Sequence, residues 1–207
     1  EGQTPGTVFC ARCNARMPCP AVVVADAAQM YEEVPPSRVR SGLRSLITWA
    51  TDRDYTGVAV CKRAAGPSFL VKQRWRHPPG TVLFTWDELS QGLDLALAQN
   101  AVSVDNSVWV QAEGLPIGGL HSPASCSVVL GADEATWTDD AAARARHGFH
   151  PRGRRLEEQV ALARYVDDLI MVSRTWCTSC LGDMLAVMYR KPVQFDRQAT
   201  SAHGQPW

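Results

Sequence analysis

Three aspartates stand where carboxylates do chemistry. Ala21-Val22-Val23-Val24-Ala25 is short, continuously apolar and partly β-branched, the composition of a buried strand, and it stops at Asp26. Far along the chain, Asp167 and Asp168 separate segment 156–164 from the apolar run 169–173, at the tip of an expected hairpin. A carboxylate at a strand end is costly in a core and useful around a cation. Two or three brought together repel unless a divalent ion neutralises them. Mg²⁺ takes one or two carboxylates with water and substrate phosphates. Two such ions about 3.5–4 Å apart serve phosphoryl transfer by activating the attacking oxygen and stabilising the leaving one. Each feature taken singly also has an ordinary reading. An Asp after a strand forms turns or caps helices, and an Asp-Asp pair in a tight turn is commonly just solvated.

These acids need elements to hold them. Residues 1–20 are rich in Pro, Gly and Cys and read as irregular. Segment 27–34 reads as a turn or short helix, broken by Pro35-Pro36. After Ser37, the spacing of Val39, Leu43, Leu46, Ile47 and Ala50 predicts a helix. Segments 56–61 and 68–72 predict a hairpin. Thr85-Trp86-Asp87-Glu88 has the form of a capping box, followed by Leu89, Leu93 and Leu97 on one face. Segment 102–110 reads as one strand and 114–119 as a glycine-rich turn. Ser122-Pro123 opens a helix to about Trp137, with proline where its missing N–H costs little. Segment 144–155, with five arginines, two histidines and no acid, reads as a loop. Segment 181–189 predicts a helix and 192–195 a last strand. The order suggests an α+β layer, with helices on one face of an antiparallel sheet.

Composition sets the limits. The chain has 207 residues, 21 Lys+Arg against 21 Asp+Glu, 45% apolar and 20% charged residues, which suits a globular chain and argues against disorder, collagen or coiled coil. No uncharged apolar run approaches the roughly 18 residues of a membrane helix, and the N-terminus lacks a signal-peptide pattern. Seven cysteines, an odd number, favour a reducing compartment over a disulfide framework. The expectation is an intracellular protein, neither secreted nor membrane-bound.

The three acid sites lie within a larger pattern. Ala25-Asp26-Ala27-Ala28-Gln29-Met30-Tyr31, then Gly114-Leu115-Pro116-Ile117-Gly118-Gly119-Leu120-His121-Ser122-Pro123, then Tyr165-Val166-Asp167-Asp168 resemble motifs A, B and C of the reverse transcriptase palm, in the family's order. The Tyr-x-Asp-Asp box is the specific signal. The resemblance implies a polymerase palm, an RRM/ferredoxin-like antiparallel sheet, over 21–196 with an insertion at about 52–110, a Cys-containing lead-in at 1–20 and a tail at 197–207. It implies an RNA-directed DNA polymerase of retroelement (retrotransposon) type, a nucleotidyltransferase using two Mg²⁺ ions and dNTP on an RNA/DNA template-primer. Asp26 and Asp167 would hold both ions, with Asp168 in support. Tyr31 would exclude a ribose 2′-hydroxyl. Pro116, Gly118, Gly119 and Tyr165 would approach the nucleotide, the glycines because no Cβ stands in the way. Ile117 departs from the Gln common in the family, and Lys191 stands where a motif D lysine would protonate pyrophosphate.

Basic residues offer further contacts to a nucleic-acid backbone: Lys72, Arg74 and Arg76 with Trp75, and Arg152, Arg154 and Arg155. The alternative is a catalytically silent palm retained as a nucleic-acid-binding or scaffold element. The first residue is Glu1 and only 25 residues precede Asp26. The expectation is therefore a fragment whose fingers and thumb are largely missing, giving little product in primer extension by itself. In a palm the strand entering Asp26 neighbours the strand leaving Asp168. That topology, implied by the resemblance, would bring Cys10 and Cys13 beside Cys177 and Cys180, opposite the aspartates. Four thiolates there would suit a structural Zn²⁺; reduced, metal-free cysteines are the plain alternative.

Overall fold

The computed structural model describes residues 8–17, 20–63, 66–73, 78–99, 101–111, 113–116, 119–150 and 153–197. In chain order the strands and helices are β1 (Val8–Phe9), β2 (Arg16–Met17), β3 (Ala21–Ala28), α1 (Met30–Glu33), α2 (Pro36–Thr51), β4 (Tyr55–Cys61), β5 (Ser68–Lys72), β6 (Thr81–Thr85), α3 (Trp86–Ala98), β7 (Ala101–Val104), β8 (Ser107–Val110), α4 (Ser122–Asp139) and α5 (Ala141–Arg146). A 3₁₀ turn (Leu156–Glu158) then leads into β9 (Val160–Tyr165), β10 (Asp168–Ser173), α6 (Thr178–Met188) and β11 (Gln194–Arg197). The architecture is α+β with antiparallel sheets. Two compact units divide it: Glu1–Glu33 with Asp133–Trp207, and Val34–Ala132 between them.

The first unit carries a four-stranded sheet in the order β11-β3-β10-β9, every pair antiparallel. Period-two alternation explains its two faces. Ala21, Val23, Ala25 and Ala27 of β3 and Leu169, Met171 and Ser173 of β10 are buried, while Asp168 and Ile170 are exposed. Against the buried face α6 sets Cys180, Leu181, Met184, Leu185 and Met188. Leu169, Met171, Leu181 and Met184 are almost wholly withdrawn from water, each worth on the order of 2 kcal/mol of burial. The end of α4 joins α6 there. Trp137 and Thr138, with Leu162, Met171, Met184 and Met188, line a cavity of about 380 Å³.

The other unit holds the sheet β5-β4-β6. Gly57 is required in β4, because a Cβ there would lie 2.3 Å from the Phe84 carbonyl oxygen of the neighbouring strand. The capping box starts α3: the Thr85 hydroxyl accepts from the Glu88 N–H (3.3 Å), and the Glu88 carboxylate accepts from the Thr85 N–H (2.8 Å).

Three local readings are corrected. The first strand runs beyond Asp26 to Ala28, because β11 supplies ladder partners for residues 25–28. Segment 102–110 belongs to a hairpin, β7–β8, folded at Asp105-Asn106, both with positive φ as a type I′ turn requires. The arginine-rich segment begins as helix α5. Asp140 caps it by accepting from the Ala143 N–H (2.7 Å), and Arg144 is buried, donating to the Trp137 and Thr138 carbonyls at the end of α4. A cation satisfying terminal helix carbonyls explains that burial.

Candidate active site

Sheet register builds an acidic row. Asp26 pairs with Asp168 on one side and with Asp196 on the other, and Asp168 pairs with Tyr165. Opposed residues of an antiparallel ladder share a face, with Cβ atoms about 4.5–5.5 Å apart. Asp196, Asp26, Asp168 and Tyr165 therefore cross all four strands in one line, on the face away from α6. Tyr165 is 80% exposed there.

Asp167 enters from the turn between β9 and β10. Its carbonyl accepts from the Ala27 N–H (3.1 Å), fastening the turn to β3. Val166 takes φ of 55°, a left-handed conformation that a β-branched residue rarely adopts. The carbonyl of Val166 accepts from Arg164 Nη1 (3.2 Å). Arg164 Nε in turn donates to Glu134 Oε1 (2.7 Å), and the Tyr189 hydroxyl donates to the same oxygen (2.7 Å). Burial first, and then the Glu134 charge, push the Tyr189 phenol far above its ordinary pKa, so it remains a donor. Strained turns persist where surroundings over-determine them, and here both turn carbonyls are held.

Electrostatics mark the row as short of positive charge. Burial raises the pKa of Asp26, and the charges of Asp167, Asp168 and Asp196 raise it further. Hard carboxylate oxygens of this kind suit Mg²⁺. The acids form an open line. Among the described residues, the cluster that closes, with ligand atoms all within 4.8 Å of one another, consists of Cys10, Cys13, Cys177 and Cys180. Burial works against a Cys10 thiolate, yet hydrogen bonds from the backbone of Cys13, Cys177 and Arg12 bring its pKa down to about 6. Burial pushes the Cys177 and Cys180 thiols up. Thiols so crowded cannot all ionise without a cation among them.

The remaining sequence candidates fall elsewhere. Tyr31 is half-buried on α1, in the same unit as the aspartates. Pro116 and Gly119 belong to the Val34–Ala132 unit. Gly119 has an internal reason to lack a side chain: a Cβ would lie 2.7 Å from Ser122 Oγ, which donates to the Pro116 carbonyl (2.7 Å). Lys72 places its ammonium over the Tyr55 ring (5.0 Å). Arg154 and Arg155 are exposed, and their carbonyls accept from Gln159 Nε2. Ile117, Gly118, Arg74, Trp75, Arg76 and Arg152 lie outside the described residues. Sequence reasoning missed Asp196 and the Glu134–Arg164–Tyr189 group. No motif marks them, and only the β11 register and the placement of α4 bring them to the site.

No protein-family model matches the chain, and no curated protein does. Solved structures do. The apo telomerase of Candida tropicalis matches with a TM-score of 0.50 and 12% identity over 81% of this chain and 24% of that one. The Candida albicans telomerase in complex with a TWJ fragment of telomeric RNA gives 0.47 and 14% over 83% and 25%. The Candida tropicalis telomerase in the corresponding complex gives 0.49 and 12% over 92% and 28%. The chain spans about a quarter of the length of these proteins. The likeness to the apo telomerase is one of fold alone: the α+β arrangement of this chain is similar to that of part of the Candida tropicalis protein. No helix among the described residues is long and apolar enough to cross a membrane.

Proposed function

We propose that this chain is the palm of a reverse-transcriptase-type polymerase of retroelement origin, transferring nucleotides from dNTP to a primer 3′-hydroxyl on a nucleic-acid template. One observation carries the reading: residue 26 lies in register with residue 168, and the turn bearing Asp167 is bonded to Ala27. Acids from distant parts of the chain thus meet on one open sheet face, as the motif order leads one to expect.

Asp26 and Asp167 are the ligands for the divalent ions, with Asp168 beside them. Two Mg²⁺ ions, when bound, supply Lewis-acid activation of the attacking hydroxyl and neutralise the triphosphate. The protein's share is positioning. The ladder holds the acids, and the Arg164 contact holds the turn. The exposed Tyr165 ring offers a surface for a sugar or base beside Asp168. Tyr31, on the helix after β3, selects the deoxy sugar.

Two measurements test this. Mn²⁺ titrated into the 207-residue chain should bind at the acids, and Asp26→Asn or Asp167→Asn should weaken it at least about tenfold, the loss of one charged ligand. A longer chain should extend a primer with dNTP, prefer it to ribonucleotides, and lose extension with Asp167→Asn. Nucleic-acid binding with no extension and no cation dependence would establish the silent scaffold instead.

A further inference from the structure

We infer that Cys10, Cys13, Cys177 and Cys180 form a closed structural zinc site, separate from the aspartate row and independent of the polymerase reading. Two arms build it. Cys10-x-x-Cys13 occupies the turn between β1 and β2. The Cys10 N–H donates to the Ala15 carbonyl (2.8 Å) and the Asn14 N–H to the Cys10 carbonyl (2.9 Å). Asn14, at φ of 59°, completes the reversal. Cys177 stands at the N-cap of α6, and Cys180 lies in its first turn. The Ala11 N–H donates to the Thr175 carbonyl (2.9 Å), docking one arm on the other.

Distances separate a metal site from its alternatives. Four thiolates at the usual Zn–S length of about 2.3 Å define a tetrahedron with edges of about 3.8 Å. Cys10 Sγ lies 3.6 Å from Cys180 Sγ, and Cys13 Sγ lies 3.6 Å from Cys177 Sγ. A disulfide needs about 2.05 Å. Both close pairs run between the arms, so all four sulfurs converge on one point.

The surroundings suit the charge such a site carries. Four thiolates around a divalent ion leave two negative charges, and ligating sulfurs need donors from outside. The Cys177 N–H donates to Cys10 Sγ (3.3 Å). Arg12, between the first two ligands, brings a guanidinium charge to the Cys180 side of the cluster. It is fixed by Asp183 (2.5 Å), by the His147 carbonyl (3.0 Å) and by the Phe149 ring beneath its guanidinium (4.7 Å). Soft sulfur ligands select zinc over the hard cations that carboxylates hold. With four protein ligands, no coordination position is left for a substrate. The arms meet beyond the Ala21–Ser173 rung, and five rungs of about 3.4 Å each separate that rung from the Asp26–Asp168 pair.

Metal analysis of the full chain, purified without chelator, should find about one zinc per chain. Replacement by Co²⁺ should give the thiolate charge-transfer and tetrahedral d–d absorption of a four-sulfur site. Cys10→Ser and Cys180→Ser should abolish both signals, while Cys61→Ser leaves them unchanged. Should the buried variants fail to fold, the exposed Cys13 decides: Cys13→His retains the metal with a shifted cobalt spectrum, and Cys13→Ala loses it. Folded protein that carries no metal, and whose seven thiols all react once it is denatured, would overturn the assignment, as would a disulfide joining any two of the four ligand cysteines.

Discussion

Arg164, which no motif marks, ties the turn that bears Asp167 to Glu134 of α4. It neutralises Glu134 and holds the carbonyl of Val166 in a turn that a valine enters only under constraint. Its side chain is only 12% exposed, and that of Glu134 25%, so the pair is far less screened than a surface ion pair. Arg164→Met should cost about 2 kcal/mol in urea unfolding, the scale of hydrogen bonds to a charged partner. It should also weaken Mn²⁺ binding at the acids, since Asp167 loses its fixed turn. Glu134→Gln keeps an acceptor for both Arg164 and Tyr189, and on both measures it should fall between wild-type protein and the Arg164→Met variant. Unchanged cation affinity in Arg164→Met would show that the turn needs no such support.

At the scale of elements, α3 shows how far local pattern reaches. Hydrogen bonds from the backbone and hydroxyl of Thr85 hold the Glu88 carboxyl below the ordinary glutamate range. A depressed folded pKa means that this contribution is present above the unfolded value and is lost as pH falls through the lower folded one. Thr85→Ala should cost about 1 kcal/mol at neutral pH, typical of an N-cap. Relative to Glu88→Gln, wild-type protein should lose stability only below the ordinary glutamate value of about 4.3, read from denaturant midpoints across about pH 3–7. The capping box was legible because its partners stand three residues apart. The Asp26 strand, the Tyr165–Asp168 hairpin and α6 were legible for the same reason, each resting on apolar periodicity within one segment. What sequence reading lost depends on distant partners. The last residues of β3 are strand because β11 pairs with them, and Asp196 reaches the acidic row by that register alone. Arg144 is buried because the end of α4 needs a donor. The β7–β8 hairpin is the exception, a miss of turn chemistry in Asp105-Asn106 that the residues themselves carry.

Across the whole molecule, the unit bearing the acids is assembled from two separated stretches, while the unit between them is continuous in sequence. Asp26 and all of Cys10–Cys13 come from the first stretch; Asp167, Asp168, Cys177 and Cys180 come from the second. A link between residues 10–13 and 177–180 therefore closes a very long loop, and loop closure stabilises the unit that contains its ends. Nothing of that link lies within residues 34–132. Conversely, Gly57→Ala drives a Cβ into a backbone carbonyl wholly inside the continuous unit, which should cost about 3 kcal/mol as severe overpacking. Stability distributes over such units unevenly, and amide exchange reads it segment by segment. In native-state hydrogen exchange of the full chain, Gly57→Ala should therefore lower protection in β4, β5 and β6 and leave β3 and β10 near wild type. Removing metal with a strong chelator should do the reverse. Equal loss in both sheets under either perturbation would mean that the two units unfold as one rather than separately.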